Sequence, residues 1–244
     1  MIMLLLSQQA HAYFNATYLN TTVLFNTSTS AHVVETLEIF VSNSSESQYL
    51  QDRGAINLSV AGWENALGIT LLQQHIYKAT ISNFTLLPGP LVDTNPKGGY
   101  AFMTFSYIAY NVISVQNIAP RRFEYTFNNQ AFNFEHAASG QVLPSYARLN
   151  ILLPKGSEVV NVYPLPDYPS QNFLGNYTNA TTFSWYAGEP LSNFAFSYII
   201  QESPTQEVGT YFTQVYDSYG SLIYIGLVIL IVVIALYAYV KLFR

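Results

Sequence analysis

The histidine side chains of this sequence are candidates for binding a metal ion or transferring a proton. They stand at His11, His32, His75 and His136. None lies in the H-E-x-x-H or H-x-H spacing that brings two imidazoles onto one metal ion. A lone histidine on a strand is usually half-buried or exposed, and the chain has no cysteine to supply a thiolate. The sequence therefore predicts neither a metal site nor a bound cofactor.

Carboxylates could form the acid–base pair of a glycoside hydrolase or of an aspartic-type hydrolase. Glu35 and Glu38 are close in sequence, but their spacing along a strand places them on opposite faces, where they cannot act together. The other candidates are scattered at predicted turns and strand ends, at Asp167, Glu189 and Glu202. A catalytic pair would need the fold to bring distant carboxylates together, so the sequence predicts no catalytic residue.

Asparagine supplies the densest motif of the chain, the N-x-S/T sequon in which x is not proline. It occurs at Asn15, Asn20, Asn26, Asn43, Asn57, Asn83, Asn176 and Asn179. On an exported chain such sequons accept N-linked glycans at solvent-facing positions. We therefore expect several of these asparagines to be glycosylated and to lie on exposed strand positions or turns.

Two aromatic residues and one basic pair leave alternatives open. Trp63 and Trp185 are either core residues or platforms on which a glycan stacks. Arg121 and Arg122 lie at a predicted boundary, where they form a solvated hinge, salt bridges to a neighbouring carboxylate, or a contact with a partner.

The composition is poor in charge and rich in neutral polar groups. Charged residues make up 9% of the chain, against a usual value of about 25%. Either an acidic exterior, where amides and hydroxyls do not titrate, or solubility supplied by glycans would explain this. The net charge of −5 and the lack of basic runs argue against binding to nucleic acid.

One stretch near the C-terminus predicts a membrane anchor. Residues 222–240 contain no charge and are long enough, as a helix, to match a hydrocarbon core about 30 Å thick. Lys241 and Arg244 follow it, and basic residues favour the cytoplasmic side. We therefore expect a transmembrane helix at 221–241 in the lipid bilayer, with the C-terminus inside and the preceding chain outside the cell. A buried core helix is the alternative.

The N-terminus predicts the remnant of an export signal. Residues 1–12 have a short apolar run followed by Ala10-His11-Ala12, which fits the small-x-small pattern of signal cleavage. The run lacks a basic beginning, so the true start is upstream of Met1 or the segment is part of a longer leader. A plain flexible N-terminus is the alternative. The lack of disulfides in an outside-facing chain favours a prokaryotic exterior.

Between these ends, apolar residues alternate with polar ones at the period of β-strands. Leu19, Thr21, Val23 and Phe25 form one inward face, and residues 33–41 form another strand with Glu38 outward. Gly62–Asn65 is expected to be a turn. Gly- and Pro-rich turns between short strands predict two antiparallel, Ig-like β-sandwiches. Their boundaries are 13–117 for the N-terminal sandwich, 121–203 for the membrane-proximal sandwich and 204–220 for a connector to the membrane.

The second block carries a resemblance to a known class of proteins. ARLNILLPKGSEVVNVYPLP, then TTFSWYAG and FAFSYII, resemble the membrane-proximal β-sandwich of single-pass archaeal cell-surface glycoproteins. The same layout is similar to the lumenal part of ribophorin-like oligosaccharyltransferase accessory subunits. The resemblance covers about a third of the chain and implies a β-sandwich ahead of an anchor. It carries over no catalytic residue.

Together these features favour a non-enzymatic, glycosylated, single-pass envelope protein. It would act as a structural or accessory subunit that binds other surface or membrane proteins through sheet edges or aromatic patches. One alternative is a surface protein that binds carbohydrate or peptide, or a hydrolase with carboxylates from several loops. Another is an accessory subunit of a membrane enzyme complex in glycan transfer or respiration.

Overall fold

The computed structural model of the chain describes most of the region between the two predicted hydrophobic ends. The described residues are 14–55, 59–67, 75–76, 80–138, 140–170, 177, 179–203, 216, 219–220 and 224. The predicted signal remnant at 1–12 lies outside them, as do most of the connector and all of the membrane segment except Tyr224. No helix among the described residues is both long and apolar enough to cross a bilayer.

β-Sheet predominates, as the alternating pattern predicts, and two short α-helices accompany it. The strands are β1 Phe14–Phe25, β2 Ala31–Ser42, β3 Ile81–Pro88, β4 Val92–Asn95, β5 Gly98–Ala109, β6 Ile113–Ala119, β7 Arg122–Phe127, β8 Glu135–Ala137, β9 Gly140–Val142, β10 Ala147–Leu152, β11 Glu158–Tyr163, β12 Thr182–Trp185 and β13 Ala195–Gln201. The helices are α1 Glu46–Gly54 and α2 Val60–Leu67.

The largest sheet joins strands from both predicted sandwiches. Its strand order is β12-β10-β1-β2-β5-β3, and β4 also pairs with β5. The pairing of β1 with β10 is parallel, from Leu19 opposite Ala147 to Leu24 opposite Leu152. The prediction of purely antiparallel sheets is therefore wrong for this pair, because strand periodicity shows which residues face inward but not which strand is the partner.

This pairing also differs from the predicted division into domains at 13–117 and 121–203. The described residues of 1–118 and 123–200 form one compact unit, and those of 119–122 and 201–244 belong to a second. The Pro-containing segment near residue 120 is a tight turn between β6 and β7.

A second sheet, in the order β11-β13-β7-β6, packs against the large sheet through aromatic rings. Phe25 of β1 stacks on Phe127 of β7 and Tyr198 of β13, with centroids 5.6 and 5.7 Å apart. Trp185 of β12 meets Phe194 edge-on at 5.0 Å, and its indole donates a hydrogen bond to the Pro164 carbonyl. Trp185 is therefore a core residue, and the two sheets form a sandwich-like core.

The predicted inward faces of several strands are confirmed. In β1 the residues Leu19, Thr21, Val23 and Phe25 are buried and alternate with more exposed ones. In β13 the rings of Phe196 and Tyr198 are buried as predicted, although Ser197 between them is buried as well. Period-two patterns therefore identified these strands and their core sides because each side chain on one face must be removed from water together with its i+2 neighbours.

The turn predicted at Gly62–Asn65 is wrong, because these residues lie inside helix α2. Trp63, Ala66 and Leu67 share one side of the helix at the spacing i, i+3, i+4, and all three are buried. The Trp63 ring packs against Phe14 of β1 at 6.3 Å. Tertiary burial of the indole thus overrides the turn tendency of Gly62 and Asn65.

The phenol of Tyr49 helps to attach helix α1 to the sheet region. Tyr49 is fully buried, meets Phe14 edge-on at 5.5 Å, and donates a hydrogen bond of 2.6 Å to the Gly89 carbonyl. Burial raises the pKa of Tyr49 to about 12, and the charge of Arg53 opposes this effect in part. The neutral phenol is the form that fits this site.

The pKa of Tyr49 predicts a loss of stability at alkaline pH. The folded state holds the phenolic proton more tightly than the unfolded state, so the stabilisation is complete below pH 10 and falls as the pH rises from 10 towards about 12. Each pH unit should cost up to about 1.4 kcal/mol for this phenol. Urea unfolding measured between pH 9 and about pH 12 should therefore show a shallower pH dependence in Tyr49→Phe than in the native chain. Parallel curves for the two proteins would contradict the assignment, since all other phenols are common to both.

Candidate functional site

A buried glutamate, histidine and tyrosine form the most chemically distinctive cluster among the described residues. Glu35 lies on β2, Tyr107 lies on β5, and His75 lies in the described pair His75 and Ile76. All three side chains are buried in the core. Since a buried carboxylate is stable only when it is paired or hydrogen-bonded, its partners decide what the cluster does.

The Glu35 carboxylate accepts hydrogen bonds from three groups. The backbone N–H of His75 donates to Oε1 at 2.9 Å, the Tyr107 hydroxyl donates to the same oxygen, and Nδ1 of His75 contacts Oε2. The Tyr107 oxygen in turn accepts from the backbone N–H of Ile76 at 3.1 Å. Burial, and then the charge of Glu35, raise the pKa of Tyr107, so its phenol remains a neutral donor.

This arrangement attaches residues 75 and 76 to the sheet and is closed to solvent. The His75 ring packs on the Phe134 ring, with centroids 4.9 Å apart, and the backbone carbonyl of His75 accepts a hydrogen bond from the Asn133 N–H at 2.8 Å. The three side chains are buried and bonded to one another, so the cluster satisfies their polar groups in the core.

Sequence reasoning missed this cluster, although one signal was present. The prediction that Glu35 and Glu38 lie on opposite faces is confirmed, since Glu35 is buried and Glu38 is not. Glu35 has the same parity as the inward residues Val33 and Leu37, which places a carboxylate in the core and demands a buried donor. His75 is that donor, so the expectation of a half-buried or exposed histidine is wrong for this residue.

Removal of the carboxylate should destabilise the fold strongly. Glu35→Ala leaves the buried donors of His75 and Tyr107 without an acceptor, which should lower the free energy of unfolding by about 2–5 kcal/mol. Glu38→Ala on the same strand is the matched control, because Glu38 contacts the Thr17 hydroxyl at an exposed position. We expect it to change stability by about 0.5 kcal/mol or less. Equal effects of the two substitutions in denaturant unfolding would show that the cluster has no structural role.

A second polar cluster lies on the opposite, outer face of the large sheet. Asn150 of β10 donates from Nδ2 to the Asn20 Oδ1 of β1 at 2.6 Å and accepts at Oδ1 from the Ser184 hydroxyl of β12 at 2.7 Å. Arg148 donates from Nη2 to the Ser184 oxygen at 3.0 Å. Three adjacent strands are thereby linked by side chains as well as by their backbones.

The segment between β11 and β12 places Asp167, one of the scattered carboxylates, beside this cluster, where its N–H donates to the Ser184 carbonyl at 2.9 Å. Asp167 accepts a hydrogen bond of 2.8 Å from the Tyr186 N–H at Oδ2. Burial, and then the negative charge of Asp167, raise the pKa of Glu189. The fold thus makes Asp167 and Glu189 electrostatic neighbours. Glu202 belongs to the second unit of the chain.

Most of the described sequon asparagines are exposed, as the sequence predicts. The exposed ones are Asn15, Asn26, Asn43, Asn83 and Asn179. Asn20 is different, because it is partly buried and its amide oxygen is bonded to Asn150. Asn57 and Asn176 lie outside the described residues, as do Lys241 and Arg244.

The structure therefore predicts which of the described sequons can carry glycans. In an expression host that glycosylates exported chains, peptide mass mapping should find glycans among the five exposed asparagines and none at Asn20. Asn26→Gln is the positive control, because Asn26 is exposed in a turn where its Oδ1 accepts from the Ser28 N–H at 2.9 Å. A glycan attached to Asn20 would contradict this prediction.

The other histidines are placed separately. His32 on β2 bonds through Nε2 to the Ser106 hydroxyl at 2.7 Å, and His136 is exposed on β8. The described part of the chain contains no group of three or more histidine and acidic side chains placed to hold a metal ion. Trp63, like Trp185, is a core residue rather than an exposed platform.

Comparison of the chain with models of protein families and with curated protein sequences found no match.

Proposed function

We propose that this chain is a non-enzymatic, N-glycosylated, single-pass envelope protein. It serves as a structural or accessory subunit that binds other surface or membrane proteins, and its C-terminal helix at 221–241 anchors it in the lipid bilayer. The uncharged run at 222–240 and the cations that follow it support the anchor. The exposed positions of five sequon asparagines are compatible with glycans on the outside of the cell.

One observation supports binding to another protein more directly than the rest, the exposure of edge strand β6. In the sheet order β11-β13-β7-β6, this strand pairs with β7 on one side only, as far as the described residues show. Five consecutive residues from Ser114 to Ile118 are exposed, so both faces of the strand are in contact with solvent. Val115 and Ile118 add large apolar side chains to that edge.

An edge of this kind is a template for an added strand. Its backbone donors and acceptors supply affinity, and its side chains supply selectivity. Proteins that must remain alone usually protect such an edge with charge or proline, and β6 contains neither between Ile113 and Ala119. Partner binding by strand addition is therefore the function that this geometry favours.

The sealed acid–base cluster supports a non-enzymatic role. Glu35, His75 and Tyr107 would be the natural proton-transfer groups of an active site, but all three are committed to one another in the core. Their arrangement stabilises the sandwich instead.

A lysine placed on the edge should abolish partner binding without unfolding the protein. The tagged full chain is purified from native membranes in mild detergent, and its partners are identified after cross-linking. Val115→Lys should lose the partner that the native chain retains, because a charged side chain on an edge strand opposes strand addition. Val160→Lys on β11 is the matched control, since Val160 is an exposed valine, at 52%, on the other edge of the same sheet.

Two results would contradict the proposal. A strictly monomeric native chain with no cross-linked protein would remove partner binding altogether. Retention of the partner by Val115→Lys, with loss in Val160→Lys, would assign binding to the other edge.

A further inference from the structure

The outer face of the large sheet carries a row of polar side chains across β12, β10 and β1. Asn150 is opposite Ser184 on one side and Thr22 on the other, and Tyr168 forms a bridge with Ser184 at the outer edge. Residues directly opposite in neighbouring strands point to the same face. Tyr168, Ser184, Asn150 and Thr22 therefore form one continuous row.

Buried hydrogen bonds hold this row in one arrangement. Ser184 and Asn150 are buried and bonded to each other at 2.7 Å, and they fix the neighbouring Asn20 amide and Arg148 guanidinium through the bonds described above. Asn20 and Arg148 remain partly exposed. The face thus presents a neutral amide and a fixed cationic donor whose orientations are set before any ligand arrives.

Two tyrosine rings border the same row and are also held in place. Tyr186 is 44% exposed, and the Arg148 guanidinium lies over its ring at 4.9 Å. Tyr168 is 57% exposed, and its backbone exchanges hydrogen bonds with Ser184 in both directions. Aromatic rings that are exposed on a rigid backbone offer apolar surface at little cost in conformational entropy.

Tyr168 and Asp167 come from a segment between β11 and β12 that is anchored by prolines, whereas Tyr186 and Glu189 follow β12. Pro164 and Pro166 are buried, whereas Leu165 and Asp167 are exposed, so the segment alternates like a strand along the edge of β12. Asp167 accepts a hydrogen bond from the Tyr186 N–H, and its charge acts on Glu189, which follows Tyr186 in the chain.

We propose that this face is a binding site for a neutral saccharide. A sugar ring has an apolar C–H face, which fits against an exposed tyrosine ring, and hydroxyls that both donate and accept hydrogen bonds. Asp167 and Glu189 accept from such hydroxyls, and Arg148 and Asn20 donate to them. The face offers this mixture through side chains, whereas a peptide strand would be recognised at an open backbone edge such as β6. The site goes beyond the partner binding proposed above and does not depend on it, because β6 lies in the other sheet.

The test is direct binding of the purified full chain, in mild detergent, to an immobilised panel of neutral hexose and N-acetylhexosamine oligosaccharides. At least one oligosaccharide should bind, and its affinity should fall about tenfold or more in Tyr186→Ala and in Tyr168→Ala, the size expected for the loss of one ring contact. Tyr163→Ala is the matched control, because Tyr163 is a tyrosine of similar exposure, 52%, on β11 of the other sheet. Its binding should equal that of the native chain, as should that of Val115→Lys.

Several results would overturn the site. The first is a failure of the native chain to bind any neutral oligosaccharide at millimolar concentration. The second is an unchanged affinity in both Tyr186→Ala and Tyr168→Ala, and the third is an equal loss of affinity in Tyr163→Ala. A glycan on Asn20 in the native protein would also overturn it, because that glycan would cover the face. Thermal unfolding of each variant checks that a loss of binding does not come from a loss of fold.

Discussion

The parallel pairing of β1 with β10 is the constraint on which the rest of the structure depends. It joins strands from both predicted sandwiches in one sheet, from Leu19 opposite Ala147 to Leu24 opposite Leu152. Closing the long loop between β1 and β10 lowers the entropy of the chain before any contact between the two strands can form. The aromatic contacts that Phe25 makes with Phe127 and Tyr198 are among the interactions that offset this cost.

The core stabilises itself without disulfides, in a chain that has few charged residues. The chain has no cysteine, and charged residues are 9% of it. In their place, edge-on and stacked rings fill the space between the sheets, as between Phe183 and Phe196 at 5.2 Å. A few buried polar groups add specificity. A packing that left the Glu35 carboxylate buried without hydrogen-bond partners would be strongly destabilised.

The two faces of the large sheet use polar groups in different ways. On the inner face, the Glu35 carboxylate is hydrogen-bonded to His75 and Tyr107, and these bonds stabilise the fold. On the outer face, Asn150 and Ser184 form a buried layer that holds partly exposed Arg148 and Asn20 in position. The same kinds of hydrogen bond thus close one face to ligands and organise the other for them.

The sequence by itself determined the strands and their inward sides, as at Leu19–Phe25 and Phe194–Ile200, because alternation is a local consequence of backbone geometry. It also determined that Glu35 and Glu38 face opposite ways, and it identified the sequons. Only the tertiary structure decided that β1 pairs with β10, that Trp63 lies in a helix, and that the charge of Asp167 raises the pKa of Glu189. Those outcomes depend on contacts between residues far apart in the chain, and no local pattern encodes which distant partner a strand or a side chain will meet.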